Sequence, residues 1–220
     1  MNKTLKKSNN NRLLIIGCGG HAKVITEIAI DVGFSDIIYQ DEKTEKNYFL
    51  GNDIVKKPIE NYYDYFFVAI GDNFLRENLT RAFLKINPHS KAAILIHPSS
   101  IISKSCTIGE GTVVMPLCAI NSSSKIGRGV IVNTKSSIDH DNLLKDYSSI
   151  APGVSTGGNV IIGNRTAIAI GTLIKHGIEI GADSVIGSAS YLNKNIPNNK
   201  VVYGSPAKII RERKTGEAYF

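Results

Sequence analysis

The sequence predicts two units of different rhythm, a small Rossmann-like α/β unit followed by a left-handed parallel β-helix of hexapeptide repeats. Three observations carry this. Between Arg12 and Ala93, short apolar runs alternate with stretches of helical period. From Ile96 onward, aliphatic side chains recur at every sixth residue as far as Leu192. Where the first apolar run ends, Gly17, Gly19 and Gly20 make a turn of the kind that leads from a parallel strand into a helix.

In the first unit, Arg12 to Ile16 is the continuous apolar run of a buried parallel strand. The spacing predicts a helix from His21 to Val32, with Ile25, Ile28, Ala29 and Val32 as its stripe and Gly33 as its stop. Ser35 to Gln40 and Tyr65 to Ile70 read as further strands. Asn73 to Ile86 reads as a second helix, with Leu75, Leu79, Ala82, Phe83 and Ile86 on one face and Pro88 closing it. Two such βαβ-like units make a small Rossmann-like domain.

In the second unit, the sixfold series from Ile96 to Leu192 has seventeen positions, and all but Thr156 are Ile, Val or Leu. Four residues after most of them stands a small side chain, as at Ser100, Thr112, Ser124, Ser136 and Thr166. Glycine often follows the aliphatic directly, as at Gly109, Gly127, Gly163, Gly181 and Gly187. No α-helix keeps a period of six; three short strands winding into a triangular coil do. The aliphatic side chain points inward, the small residue packs at the turn and glycine relieves the corner. The series supplies between five and six coils. Such prisms have flat faces and associate, a homotrimer being the default, with clefts between neighbours.

The expected divisions are a flexible basic extension over residues 1–11, the Rossmann-like domain over 12–93, the β-helix over 94–198 and a tail over 199–220. The formal charge of +7 sits mainly at the ends, in Lys3, Lys6, Lys7 and Arg12, and in Lys208, Arg211, Arg213 and Lys214. A body with little net charge and no binding motif is not a nucleic-acid footprint. Cys18, Cys106 and Cys118 have no metal or disulfide spacing and read as reduced core residues of a cytoplasmic protein. The apolar run near the start is too short for a signal peptide, and no stretch is long enough to insert in a membrane.

Chemistry is expected at two places. His140 lies two residues after the inward Ile138, on the outside of a coil, between Asp139 and Asp141. Flanking carboxylates can fix its tautomer and stabilise its cation, as a general base requires. His176 lies two whole coils further, roughly 10 Å away at ~4.8 Å per strand. One zinc ion needs both imidazoles within about 2.1 Å, so the two cannot share one within a subunit, and no metal is expected there. A ligand set shared across a trimer interface stays open. The turn Gly17 to Ala22, with Asp41 at the end of the second strand, has the pattern of a dinucleotide fingerprint. The domain is too small for a second mononucleotide half, so the turn suits a mononucleotide diphosphate at the helix N-terminus, where His21 can add a donor.

The turn from Gly17 to His21, the run from Ala69 to Asn73, the run from Asn133 to Asp141, and the ending from Gly204 to Lys208 together resemble the sialic acid O-acetyltransferase / UDP-4-amino-sugar N-acetyltransferase family. The resemblance spans Arg12 to about Ile210. It implies an acetyl-CoA-dependent enzyme that acetylates the 4-amino group of a nucleotide-activated, UDP-linked 4-amino-4,6-dideoxy sugar in bacterial glycan or nonulosonate synthesis. It further implies that Gly19, Gly20 and His21 contact the nucleotide sugar, that Gln40 and Asp41 read the nucleoside, and that Gly71 lies near the base. His140 matches the general base, and Asp141 stands where the amino-sugar enzymes have a glutamate. Ser149, Ile170 and Ser188 match positions along the acetyl-CoA groove, Ser149 replacing a histidine of some relatives. Absence of a placed cysteine nucleophile points to direct attack on the thioester. Two other readings stand beside this one: O-acetylation of a sialic-acid-like sugar or acetylation of a GDP-linked amino sugar, and a non-catalytic nucleotide-sugar scaffold.

Overall fold

The computed structural model describes residues 12–57 and 63–218, so the basic extension expected over residues 1–11 lies outside it. The first unit runs β1 (Arg12–Ile16), α1 (Gly20–Asp31), β2 (Asp36–Gln40), β3 (Tyr48–Phe49), β4 (Asn52–Val55), β5 (Tyr65–Val68), α2 (Asn73–Ile86) and β6 (Lys91–Ala92). They form one sheet in the order β3-β4-β2-β1-β5-β6. Only the β3–β4 pair is antiparallel. Strand β1 pairs with β2 on one side and β5 on the other, so the chain reverses its progress across the sheet there. The turns after β1 and β5 therefore open on one crevice, the usual place for a ligand in such sheets.

Helices explain why β1 is apolar on both faces. Leu13 and Ile15 pack against Ile25, Ile28 and Ala29 of α1. Leu14 and Ile16 pack in a second core with Phe83 of α2. Strands β3, β4 and β6 were not expected, being only two to four residues long and too short to show a period.

Helix α2 has the expected ends but not the expected face. Its buried residues are Asn73, Arg76, Glu77 and Phe83, while Leu75 and Ile86 are exposed. The reason is its neighbour: the inward side of α2 lies on the corners of the β-helix, where carbonyls need donors. Arg76 Nε donates to the Gly129 carbonyl at 2.8 Å and Nη2 to that of Tyr147 at 3.1 Å. Glu77 pairs with Arg165 at 2.9 Å. Val32, expected in the α1 stripe, is instead its half-exposed C-cap.

The coils begin at Leu95–Ile96, which starts the first face; Ile101–Ile102 starts the second and Thr107–Ile108 the third. Each face is a parallel ladder that repeats every eighteen residues, as in Leu95, Val113 and Ile131. Inward aliphatics such as Ile120, Ile138, Leu144 and Ile150 form a single column with almost no exposure. Each such burial stabilises by about 1.5–3 kcal/mol. The small residues form a second ladder. Thr112 Oγ1 donates to the Gly127 carbonyl at 2.8 Å and accepts from Val130 N at 3.0 Å. Ser124 repeats the pattern two faces later and Thr166 three whole coils later.

Glycine's role at the corner differs from expectation. From Ile108 to Ile186 the left-handed residue falls three positions after each inward side chain, and at nine of these fourteen corners it is not glycine; Asp141, at φ 58°, is one. The glycine directly after the aliphatic serves close stacking instead, since a Cβ on Gly163 would lie 2.4 Å from Ala182 N. Helix α1 rests on the first face, sharing a core with Leu95, Val113 and Ile131. At the far end, Lys200–Gly204 adds a last parallel strand beside Val185–Ile186, then turns back on Ala207–Glu212 as an antiparallel hairpin. Among the described residues no helix is long and apolar enough to cross a membrane.

Candidate active site

His140 stands at the corner between the second and third faces, just after Ser137–Ile138. Asn142, itself buried, ties this corner down. Its Nδ2 donates to the carbonyls of Asp139 at 2.7 Å, His140 at 3.1 Å and Gly157 at 3.0 Å. Asp139 Oδ1 accepts from the His140 backbone N–H at 2.8 Å. The His140 side chain is about half exposed, and its Nδ1 lies 2.7 Å from Asp141 Oδ2. A carboxylate can only accept, so Nδ1 carries the proton and Nε2 is left as the basic nitrogen. The hydrogen bond to Asp141, reinforced by the charges of Asp139 and Asp141, raises the imidazole pKa above its ordinary value. The ring lies over Gly158, one coil on. Among the described residues no cluster of His, Cys, Asp or Glu could hold a metal ion.

A cavity of about 460 Å³ lies elsewhere, on the first face and the corner between the first and second faces. It brings His21 and Gly71 of the first unit together with Ser149, Ile170 and Ser188 of the coils. Much of its remaining wall is aliphatic, including Ala151, Pro152 and Ile168. Asn133 also lines it; sequence reasoning placed this residue in a motif but not in the site. Its position directly after the inward Val132, on the same corner as Ile170, is the signal that would have found it.

The His21 imidazole sits at the start of α1 with Nε2 buried and, among the described residues, without a hydrogen-bond partner. Burial, and then the nearby Arg76 cation, push its pKa down to about 4, so the ring is neutral. A neutral imidazole with an unused ring nitrogen is a donor or acceptor waiting for a ligand. Gly19 and Gly20 are exposed beside it, with open space where a Cβ would point.

Gln40 ends β2 and Asp41 follows it next to the same turn, though neither lines the cavity. Gln40 is buried, and among the described residues its Oε1 has no partner. The Asp41 carboxylate is occupied within the chain: Oδ2 accepts from Cys18 N at 3.1 Å, and Oδ1 from Lys43 N and Thr44 N. It thus braces the glycine turn. His140 does not line the cavity either; one whole face of the prism separates its corner from that of Ile170 and Ser188. Within one chain, the basic imidazole and the cavity are two separate pieces.

The second face between these pieces is uncharged on its outside. Ile101, Ala119, Ser137, Ser155, Leu173 and Tyr191 line up along it in register. Ile101 is 75% exposed and Leu173 51%.

Comparison with known proteins places this geometry. Residues 12–83 match the family model of the PglD N-terminal domain. The chain is 31% identical over 157 residues to a GDP-perosamine N-acetyltransferase of Escherichia coli O157:H7, covering 69% of this chain and 70% of that one. It is 34% identical over 109 residues to a UDP-N-acetylbacillosamine N-acetyltransferase of Bacillus subtilis, covering 46% and 50%. Its structure is similar to that of PerB from Caulobacter crescentus in complex with CoA and GDP-perosamine, with a TM-score of 0.83, 33% identity, and 91% and 97% of the two chains covered. With its α/β unit, its hexapeptide coils and this likeness, the chain belongs to the hexapeptide-repeat sugar N-acetyltransferase family.

Proposed function

We propose that the protein transfers the acetyl group of acetyl-CoA to the 4-amino group of a nucleotide-diphosphate-linked 4-amino-4,6-dideoxy sugar. The observation that carries this reading is the cavity that joins His21 and Gly71 to Ser149, Ile170 and Ser188. A polar crevice at a helix N-terminus suits a sugar diphosphate, and an aliphatic groove running from it suits a pantetheine arm. The residues present therefore fit acetyl-CoA as cosubstrate, which supplies an acyl group already activated as a thioester.

In this reading Gly19, Gly20 and His21 hold the nucleotide sugar, with Gln40, Asp41 and Gly71 bordering its nucleoside. Ser149, Ile170 and Ser188 hold the acetyl donor. His140 is the general base, oriented by Asp141. Because His140 lies a face away from the cavity within one chain, the site is completed by His140 of a neighbouring subunit in a homotrimer. The uncharged second face supports such packing, since exposed apolar strips of this kind mark interfaces. The amine nitrogen bonds to the acetyl carbon, the carbon–sulfur bond breaks, His140 Nε2 takes the amine's proton, and the imidazolium returns it to the departing thiolate.

The carrier nucleotide divides two readings. UDP follows from the resemblance of the sequence motifs, whereas GDP is favoured by the longer match to the GDP-perosamine enzyme. A thiol-release assay with acetyl-CoA and a panel of UDP- and GDP-linked amino sugars and free sialic acid tests all of this. Release with one class of nucleotide amino sugar is expected. Release only with free sialic acid would select O-acetylation, and silence throughout would select a non-catalytic scaffold.

A further inference from the structure

Ser149 lines the cavity from the first face. Its Oγ accepts a hydrogen bond from Asn73 Nδ2 at 3.1 Å, across the junction between α2 and the coils. The direction of that bond follows from the other end of the amide. Asn73 Oδ1 faces Arg76 Nη2 at 2.7 Å, and a guanidinium can only donate. The nitrogen of Asn73 must therefore point the other way. There it also meets the carbonyls of Arg165 and Thr166 at 3.1 and 3.2 Å, which can only accept. Ser149 is thus held as an acceptor by Asn73, while among the described residues its own proton has no acceptor.

Arg76 makes this arrangement rigid. It is 1% exposed, and its Nε and Nη groups donate to carbonyls of two successive coils, at Gly129 and Tyr147, and of the loop after β5, at Ile70 and Gly71. With Asn73, these account for all five of its N–H groups. One planar fork therefore fixes Gly71, Asn73 and the coil corners relative to one another.

We infer that Asn73 and Arg76 are positioning residues for Ser149, fixing its hydroxyl so that the proton points into the cavity as a donor to an oxygen of the bound acetyl donor. This rests on the proposed function for the identity of the ligand. It also gives a reason why a serine, with one donor and a freely rotating bond, can serve there: Asn73, as a donor, bars the proton from the side of α2 before the ligand arrives.

A double-substitution cycle in the full chain tests the inference, with Asn73→Asp, Ser149→Ala and the pair. Aspartate keeps a partner for Arg76 but can no longer donate, so Ser149 must turn its proton onto the new carboxylate. The dissociation constant for acetyl-CoA by calorimetry and KM for acetyl-CoA are read in all four proteins. Each single change is expected to weaken acetyl-CoA binding about three- to tenfold with kcat within about twofold, the scale of one hydrogen bond. The pair is expected to be no worse than Ser149→Ala alone, whereas thermal stability falls whether or not Ser149 is present. Should Asn73→Asp not fold, Asn73→Ala takes its place in the cycle with the same expectation. Effects on binding that simply multiply, or no effect of Ser149→Ala, would overturn the inference. If wild-type protein binds acetyl-CoA but acetylates no amino sugar, the proposed function fails while the binding cycle still decides the positioning role. Absence of acetyl-CoA binding in the wild type would overturn both.

Discussion

The imidazole of His140 lies so close over Gly158, eighteen residues on, that a Cβ on that glycine would sit 2.4 Å from its Cε1. The missing side chain is therefore the seat of the ring. Gly158 does not occupy the left-handed region, so alanine is compatible with its backbone and the ring must give way. Gly158→Ala is expected to lower kcat at least tenfold, with melting temperature nearly unchanged, because displacing the proposed general base would forfeit part of the 10²–10⁴-fold that such a base contributes. Steady-state kinetics beside a thermal melt checks this; a fully active variant would mean that the ring position is immaterial. Removing the base, in His140→Ala, is expected to cost roughly that full 10²–10⁴-fold.

Asp141 sets where His140 titrates. A general base must be unprotonated, so the rate should rise with pH through the imidazole pKa, and the Asp141 hydrogen bond raises that pKa above its ordinary value. Asp141→Asn removes the charge, and asparagine tolerates the left-handed corner. The acid limb of the kcat/KM profile is expected to move to lower pH, and the plateau to fall because the base is weaker. An unchanged acid limb would assign the profile to another group.

His21 predicts a stability effect of opposite origin. Its folded pKa is lowered to about 4, mainly by burial, against an ordinary 6.5. Its contribution is complete above pH 6.5 and is lost as pH falls toward 4, because the unfolded chain takes up the proton first. The loss is on the order of 3 kcal/mol across that window. Urea midpoints at pH 7.5 and 5 should therefore fall further apart in wild type than in His21→Gln, which does not titrate. Equal spacing in the two proteins would remove His21 from the account. Because His21 lines the cavity, the same variant should also raise KM for the nucleotide sugar.

Thr112→Val tests the hydroxyl ladder, since it keeps shape and removes the group that serves Gly127 and Val130. The Val130 N–H is left buried without its partner, which should cost about 1–3 kcal/mol. Denaturant unfolding measures this, and a neutral result would show that the ladder contributes little to stability.

The coils were legible because their inward position repeats in phase, and Ile120 or Leu144 has no way to face outward without breaking the column. The strands and helices flanking β1 were legible for a similar reason, since an apolar run implies a cover on each face. The buried side of α2 was not. Amphipathic reasoning selects Leu75 and Ile86, but this helix docks on carbonyls and an arginine, and so it buries Asn73, Arg76 and Glu77. Spacing could also not reveal that the Asp41 carboxylate braces the turn at Cys18, because bracing and ligand reading call for the same residue at the same place. His140 and Asp141 could be placed at an exposed corner from their phase alone. That Ser149 meets His21 in one cavity depends on how the two units pack, which no local pattern encodes.

The hairpin formed by Lys200–Gly204 and Ala207–Glu212 bears on how long such a column can grow. A parallel ladder with a free last rung is a template on which another chain could continue the stack. Here the final strand reverses direction, and Lys208, Arg211 and Glu212 on its exposed edge put charge where a further rung would dock. The hairpin thereby blunts the end of the first-face ladder, and its removal is expected to bare that edge and favour association of the columns, read as a rise in sedimented mass.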